Sequence, residues 1–226
     1  MNIQFETYKD VVLPTAYQRQ IHLTKYSRWN EDEQRRETWA ETVWRYMSFM
    51  TARVEELGCK LTAEMQTALV EAILKLEVMP SMRCMMTAGP ALARDHAAGY
   101  NCSYMQIDRV QAFDEAAYLL MCGSGVGFSV ERQFVNQLPD LPTQLFPTET
   151  IIVVSDSRIG WASAIRQLLT MLYTGVTPKW DLRRVRPAGA PLKTFGGRAS
   201  GPGPLEDFFK FATAMFQRSV DDNQRK

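Results

Sequence analysis

The sequence predicts an α/β protein that begins with a helical region. In the opening third, apolar residues recur at the spacing of one helix face. They are Trp39, Val43, Tyr46 and Met50. From Met79-Pro80 onward, short strand-like runs alternate with amphipathic helices, which is typical of α/β proteins with at least partly parallel strands. The pattern predicts a helical region at 1–78 and an α/β region at 79–226, and it fits a barrel or an open sheet.

Two further signals place helices in the first region. Asn30 with Glu33 forms a capping-box pattern, which predicts a helix start there. A second helix is predicted from Thr62 to about Glu77. Its inward side is predicted to consist of Met65, Leu69, Ile73 and Leu76.

The second region begins with a predicted strand from Asn101 to Ile107. Its alternation places Cys102, Tyr104 and Gln106 on one face. The remaining predicted elements are a helix around 113–121 that ends at Gly123, a strand at 151–154 buried on both faces, a helix around 161–172 that ends at Gly175, and a last helix from about Leu205.

Composition limits the classes of function. The chain has 226 residues, 46% of them hydrophobic and 23% charged, with a net charge of +1, which gives no global attraction to nucleic acid or to an anionic membrane. We find no apolar run of transmembrane length and no signal-peptide pattern, so a cytoplasmic location is expected. The four cysteines should be thiols, and neither histidine has metal-ligand spacing, which predicts no metal site.

Two glycine-rich stretches are candidate ligand sites. In Gly123-Ser-Gly-Val-Gly127 a helix precedes the glycines and a strand follows them, the reverse of the dinucleotide-binding order. The stretch is therefore either a plain turn or a place where backbone lies close to a ligand. The run from Lys179 to Arg198 combines an excess of positive charge with glycines before a helix, which suits nucleotide phosphates but is also typical of a solvated linker.

Cys102 is a third candidate. A single cysteine on a half-buried strand is usually a small core residue. Taken alone, the residues therefore indicate a nucleotide- or phosphate-binding α/β protein.

A set of motifs spread over nearly the whole chain resembles one family, the class II, cobalamin-dependent ribonucleotide reductases. In chain order the motifs are Tyr26-Ser-Arg-Trp29, Arg35-Arg-Glu-Thr-Trp-Ala-Glu-Thr-Val43, Met79-Pro-Ser-Met-Arg83 with Thr87-Ala-Gly89, Tyr100-Asn-Cys102, Cys122-Gly-Ser-Gly-Val-Gly-Phe-Ser-Val130, Asp156-Ser-Arg-Ile-Gly-Trp161, and Arg186-Pro-Ala-Gly189 with Phe195-Gly-Gly-Arg-Ala-Ser-Gly-Pro202. Each is weak alone, whereas the ordered series is specific.

The resemblance implies a fold and a reaction. It implies helices followed by about half of a ten-stranded α/β barrel, with Met79 to Arg83 as the first substrate-side strand. It also implies that a cysteine thiyl radical, generated with adenosylcobalamin, takes the ribose 3′ hydrogen. The 2′ hydroxyl then leaves as water while a cysteine pair supplies electrons, since two thiols can close to a disulfide.

The resemblance also assigns residues. Cys102 matches the first member of the redox pair. Residues near the substrate are expected to be Ser81, Asn101, Gly125, Val126 and Gly127, with backbone amides of 125–127 reaching the nucleotide. The loop that relays effector identity is expected to contain Gly196, Gly197, Arg198 and Ser200. Asp108 matches a contact to a deoxyribonucleotide or ATP effector.

Two departures from the family matter. The radical-bearing Asn-Pro-Cys-Gly-Glu loop, the second redox cysteine, the cobalamin-contacting segments and the carboxy-terminal cysteine pair have no counterpart among these residues. We therefore expect activity only with a carboxy-terminal reductase polypeptide, and recharging by a thioredoxin-like reductant. The spans 102–123 and 130–156 are also too short for the insertion that monomeric members carry.

Two other functions are compatible with the sequence. One is a nucleotide-binding regulatory module without redox chemistry, which would bind nucleotide independently of Cys102. The other is nucleic-acid binding through the Lys179–Arg198 run, which the near-zero net charge and the lack of adjacent stacking aromatics disfavour. We expect no membrane and no nucleic acid among the partners of this chain.

Overall fold

A computed structural model describes residues 4–192 and 197–224 of the chain. The chain divides into two compact units, Met1–Tyr100 and Asn101–Lys226, which are described separately. The boundary between them lies after residue 100, whereas the sequence pattern changes at residue 79. The division into a helical region and a half-barrel stays a prediction.

Unit 1 is mainly helical. Its helices are α1 (Ala16–Ile21), continued by a π-helical turn at His22–Tyr26, then α2 (Trp39–Glu56), α3 (Ala63–Leu74), α4 (Met82–Thr87) and α5 (Pro90–Arg94). Short 3₁₀ turns lie at Phe5–Thr7 and His96–Gly99. Strands β1 (Trp29–Asn30) and β2 (Arg35–Arg36) form an antiparallel pair before α2.

The capping box of α2 lies later than the sequence predicted. Asn30 does not start a helix: its side-chain oxygen accepts the amides of Asp32 and Glu33 in the turn between β1 and β2. The real box joins Thr38 and Glu41, each side chain accepting the backbone amide of the other residue. Both pairs have the spacing of a capping box, but only the second is followed at once by the helical apolar pattern.

Helix α3 confirms the predicted helix, with a shorter end and a different inward face. Thr62 caps it, as expected, but it ends at Leu74. Met65 and Leu69 are exposed, while Val70 and Ile73 are buried against α2 in the core of unit 1. The inward face is therefore rotated from the predicted one.

The segment expected to be the first substrate-side strand, 79–83, is not a strand: residues 79–81 are irregular, and Met82 and Arg83 begin α4. Met79 to Arg83 runs into α4, in which the Met85 amide donates to the Ser81 carbonyl. Methionine and arginine favour helix, and Met85 is fully buried in the core of unit 1. The strand prediction for this segment is therefore wrong.

Unit 2 alternates strands and helices. The elements are β3 (Cys102–Gln106), α6 (Gln111–Met121), β4 (Gly125–Ser129), α7 (Arg132–Val135), β5 (Phe146–Val153), α8 (Arg158–Tyr173), β6 (Val176–Asp181) and α9 (Gly203–Gln224). Strands β3 and β4 are parallel, with α6 between them in the chain, and β5 and β6 are parallel, with α8 between them. The predicted α/β class with parallel strands is confirmed.

The core of unit 2 is formed by β5, α8 and α9. It includes Leu168 and Leu172 of α8 and Phe209 of α9. As predicted, α8 ends before Gly175, whose φ of +79° favours glycine. The prediction that the strand at 151–154 is buried on both faces is wrong, because Ile152 is buried whereas its neighbours Ile151 and Val153 are exposed.

Within the ranges 4–192 and 197–224, no helix is long and apolar enough to cross a bilayer.

Candidate functional site

Strands β3 and β4 form an exposed floor that carries Cys102. In the parallel register Cys102 lies beside Gly125 and Tyr104 beside Gly127. Partners in a sheet project to the same side, so these four residues share one face. Cys102 and Tyr104 are exposed, and the two glycines leave the β4 side of the floor without side chains. The thiol therefore stands beside an open surface, and we call this face the Cys102 face.

Local structure does not require these glycines. Neither Gly125 nor Gly127 has a positive φ. A Cβ on Gly125 would lie 3.6 Å from the Asn101 carbonyl oxygen, and one on Gly127 would lie 3.8 Å from the Tyr104 ring. Both are ordinary contacts. Glycine weakens a strand interior and often marks a place where another group approaches closely, so the two glycines make the Cys102 face a candidate contact surface.

The backbone of the glycine stretch is less available than expected. The Gly125 amide donates to the Asn101 carbonyl at 2.8 Å, so it cannot reach a nucleotide while the sheet is intact. Val126 pairs with Ser103 and lies on the opposite face from Cys102. A ligand can therefore contact Gly125 only at its Cα atom, which lies on the Cys102 face.

A buried thiol contacts an arginine at the turn before β4, and no sequence pattern predicts this contact. Cys122 ends α6 and is buried, and Gly123 follows with a φ of +85°. The Arg158 guanidinium, at the start of α8, donates to the Cys122 sulfur at 2.9 Å and lies 5.8 Å from the Tyr118 ring centroid. The contact ties the first turn of α8 to the glycine stretch beside Cys102.

Asp108 lies beyond the other end of β3. Its carboxylate accepts from the Arg109 side chain at 2.8 Å, and Arg109 also pairs with Glu115. Asp108 follows Cys102 by six positions and lies two positions beyond the end of β3, which corresponds to roughly 20 Å for an extended chain. The expected effector residue and the expected reductant therefore lie at opposite ends of one strand.

In the expected effector loop, the described residues on either side of 193–196 pair in antiparallel fashion, and we call the two paired segments, 189–192 and 197–201, the hairpin. The Gly189 amide donates to the Ala199 carbonyl at 2.9 Å, and the Arg198 side chain donates to the Gly189 carbonyl at 2.9 Å. Gly197 has a φ of +85°, and the Ser200 hydroxyl donates to the Gly201 carbonyl. Gly196 lies outside the described residues. Arg198 thus stabilises the hairpin in this structure.

Carboxylates partly neutralise the positive charge of the run from Lys179 to Arg198, which we call the basic run. Asp181, whose pKa is lowered to about 2 by hydrogen bonds from Arg183, lies within the run. In the described part of the basic run, ion pairs join Lys179 with Glu149, Arg183 with Asp181, and Arg186 with Asp156. The local field is weaker than the sequence suggested.

Ser81, the remaining expected substrate residue, lies in unit 1. It precedes α4, is exposed, and its side chain makes no capping hydrogen bond. The Ser81 hydroxyl is therefore available to a ligand.

A groove of about 580 Å³ lies between α6 and α8, and sequence reasoning did not find it. Asp114 and Arg166 form a two-point ion pair there, at 3.0 and 2.8 Å. Met105, on the opposite face of β3 from Cys102, also lines it. None of the expected site residues lies in this groove.

The described residues do not identify a cobalamin or metal site. No group of three His, Cys, Asp or Glu side chains in 4–192 and 197–224 is placed to hold a metal. His22 Nε2 lies 2.9 Å from the Thr42 hydroxyl, and His96 Nε2 accepts from Arg53 at 2.6 Å, so the Nε2 atoms of both rings are engaged within the protein. We derive no step through the cofactor from these residues.

The fold matches part of a solved class II ribonucleotide reductase. A crystal structure of a B-12 dependent (class II) ribonucleotide reductase matches 95% of this chain with a TM-score of 0.78 and 21% identity, covering 39% of the matched chain. At this identity the match establishes the fold. No protein-family model matches the chain.

Sequence comparison gives the particular relatives. The chain is similar to adenosylcobalamin-dependent ribonucleoside-triphosphate reductases, as its motifs predicted. The Euglena gracilis enzyme is 29% identical over 84% of this chain and 28% of its own length. The Lactobacillus leichmannii enzyme is 28% identical over 80% of this chain and 33% of its own length.

The chain spans about a third of the length of the curated relatives it matches. The alignment with the Lactobacillus helveticus reductase extends over 252 positions, more than the 226 residues of this chain. That relative therefore contains residues that this chain lacks.

Proposed function

We propose that this chain supplies part of the substrate site and one redox cysteine of an adenosylcobalamin-dependent ribonucleotide reductase. The observation that carries the proposal is the Cys102 face: an exposed thiol on a parallel strand pair, beside two glycines that the fold itself does not require. The similarity to ribonucleoside-triphosphate reductases supplies the reaction class.

In this proposal Cys102 acts as a reductant. The ribose exchanges its 2′ hydroxyl for hydrogen and releases water. The two electrons come from Cys102 and a second cysteine, which close to a disulfide. The second cysteine and the radical-bearing cysteine are proposed to lie on the partner polypeptide that supplies the rest of the relatives' length. A thioredoxin-like dithiol then reduces the disulfide.

Ser81, Asn101, Gly125, Val126 and Gly127 are proposed to surround the substrate. The open floor lets the ribose lie near the Cys102 sulfur, and the Ser81 hydroxyl supplies a donor. Because Val126 faces away from Cys102, its contribution is limited to backbone.

Effector recognition is proposed at the far end of β3 and in the hairpin. Asp108 would accept from an effector ribose. The hairpin residues Gly197, Arg198 and Ser200, with Gly196, would sense the bound deoxyribonucleotide or ATP. For Arg198 this requires release of its bond to the Gly189 carbonyl.

The cofactor and the partner polypeptide complete the proposal. Adenosylcobalamin, when bound, supplies the radical chemistry, and its contacts are proposed to come from the polypeptide that provides the remaining two thirds of the relatives' length. Large apolar side chains exposed on the strands of unit 2 support a covering partner. They are Tyr104, Phe128, Phe146 and Ile151.

The test is reconstitution. The chain is mixed with that polypeptide, adenosylcobalamin, a dithiol and ribonucleoside triphosphate, and deoxyribonucleotide is measured. We expect product in the complete mixture and its loss with Cys102→Ser. Cys59→Ser is the matched control, since Cys59 is also an exposed thiol but lies in unit 1 on the turn after α2. Full activity of Cys102→Ser would remove Cys102 from the reaction. Nucleotide binding without any reduction would favour a regulatory module.

A further inference from the structure

Unit 1 contains a polar network in its interior. Its members are His22, Arg28, Glu37, Thr42 and Arg45, and we call it the arginine network. The Glu37 carboxylate accepts from Arg45 Nε at 2.7 Å and Nη2 at 2.9 Å, and from the Thr42 hydroxyl at 3.1 Å. Because Thr42 donates to Glu37, His22 Nε2 must donate to Thr42. The side chains of Arg45 and Glu37 are only 16% and 14% exposed.

The network has more positive than negative charge. It contains two positively charged guanidinium groups, those of Arg28 and Arg45, and one carboxylate, that of Glu37. Burial, and then the charge of Arg45, lower the pKa of Arg28 to about 10. Burial alone would raise the pKa of Glu37, but hydrogen bonds and charge from Arg45 outweigh it and lower that pKa. Glu37 is therefore ionised, and one cation is left to be stabilised by other groups.

The carboxyl end of α4 stabilises that cation. Arg28 donates through Nε at 3.0 Å and Nη2 at 2.9 Å to the Met86 carbonyl. Arg45 Nη1 donates to the carbonyls of Met85 at 2.9 Å and Ala88 at 3.0 Å. The last carbonyls of a helix have no partner within it and carry partial negative charge, so two arginines are suitable donors for them.

Helix α4 depends on these contacts for its position. It has six residues, far fewer than an isolated helix needs to persist in water. Its carboxyl half is fixed by the arginines and by the fully buried Met85. Ser81 is the residue before its first turn, roughly 9 Å away along the axis at the usual helical rise. A shift at the carboxyl end is therefore transmitted to Ser81.

Three segments that carry the family resemblance meet in this network. Arg28 belongs to the 26–29 motif, and Glu37 and Thr42 to the 35–43 motif. The third motif is 79–83 with 87–89, and the carbonyls that Arg28 and Arg45 bond lie between its two parts, at Met85 and Met86, and in its second part, at Ala88. This motif ends at Gly89, whose φ is +107°. A Cβ on Gly89 would lie 3.4 Å from Arg28 Nη1. The first two motifs thus support the third, which contains Ser81.

We propose that Arg28 and Arg45 are positioning residues: by holding the carboxyl end of α4, they fix the Ser81 hydroxyl where substrate is bound. This inference rests on the proposed function, because it assigns the substrate contact to Ser81.

The first experiment measures local order in the chain itself. Amide hydrogen exchange is followed by mass spectrometry for wild type, Arg28→Gln and Arg36→Gln. Arg36 is the matched control, because its side chain donates to the Ser27 carbonyl and not to α4. Loss of a charge-assisted bond should speed exchange in peptides covering 82–89 about tenfold. Equal acceleration in α2 and α3, or no local change, would overturn the proposal.

The second experiment measures nucleotide reduction by the reconstituted enzyme. We expect Arg28→Gln to raise KM about tenfold with kcat nearly unchanged, the pattern of lost binding, and Arg28→Lys to restore part of the loss. In a Ser81→Ala background, Arg28→Gln should add no further rise in KM, because both changes remove the same contact.

The outcomes separate the two claims. If Arg28→Gln raises KM equally with and without Ser81, the positioning role is wrong while the proposed function stands. If the wild-type mixture reduces no nucleotide, the proposed function fails and the assignment of Ser81 fails with it.

Discussion

Replacing Gly127 with alanine adds one methyl group to the Cys102 face. Gly127 has no positive φ, and the new Cβ would lie 3.7 Å from the Ser103 carbonyl oxygen and 3.8 Å from the Tyr104 ring. The fold can accept it without strain. Since alanine loses less backbone entropy than glycine on folding, we expect the free energy of unfolding to rise by about 0.5 to 1 kcal/mol.

The same methyl group should impair function. It occupies space that the floor leaves open beside the thiol. One methyl in a substrate site changes binding by about 1 to 3 kcal/mol, so we expect KM for the nucleotide to rise at least about tenfold. Urea unfolding of the chain and steady-state kinetics of the reconstituted enzyme measure the two effects.

Gly201→Ala is the matched control for glycine replacement. Gly201 has a φ of +77°, and its added Cβ would lie 2.9 Å from the Ala188 amide nitrogen. This change should lower the free energy of unfolding by about 2 kcal/mol. The reasoning is refuted if Gly127→Ala destabilises the chain as much as Gly201→Ala does, or if it leaves KM unchanged.

Three further predictions concern stability and thiol access. Gly160→Ala should destabilise by about 2 kcal/mol in urea unfolding, because its Cβ would lie 2.5 Å from the Ser155 carbonyl oxygen; wild-type stability would contradict the contact. Glu41→Gln should cost about 1 kcal/mol at neutral pH by removing the charged pair with Arg35, while the glutamine can still accept the Thr38 amide in the capping box. Hydrogen bonds from Arg35 lower the Glu41 pKa to about 2, below its ordinary 4.5, so this stability is lost as pH falls through that window, and equal acid sensitivity of the variant would refute the assignment. Cys122 should react with a thiol reagent only after unfolding, and rapid reaction in the native chain would contradict its burial.

Local patterns were sufficient for much of the fold. Helical periodicity found α2 and α8, and alternation found β3 and placed Cys102 and Tyr104 on one face, although it did not show that this face is exposed. The helix start was mispredicted because one motif can form two structures. The capping-box spacing occurs at Asn30, where it forms a turn, and again at Thr38, where it caps α2, and only tertiary context distinguishes the two. The apolar run at Ile151 predicted a fully buried strand because composition does not report which face packs on a helix.

The polar contacts that hold the site were not predictable. Arg158 reaches Cys122 across 36 positions, and Arg28 reaches Met86 across 58. No spacing rule connects an arginine with a carbonyl or a thiol at such distances, since the contact exists only after the helices pack. The motifs that carry the family resemblance can be read from the sequence, but the contacts that join them can be seen only in the structure.

The central claim is that Cys102 gives up electrons to the ribose. It is tested by a single turnover of the reconstituted enzyme without external dithiol, followed by quenching with an alkylating reagent and mass spectrometry of each cysteine. We predict that Cys102 loses alkylation in proportion to deoxyribonucleotide formed and regains it after reduction, while Cys59 stays fully alkylated. Product formed with Cys102 still fully alkylated would contradict the account.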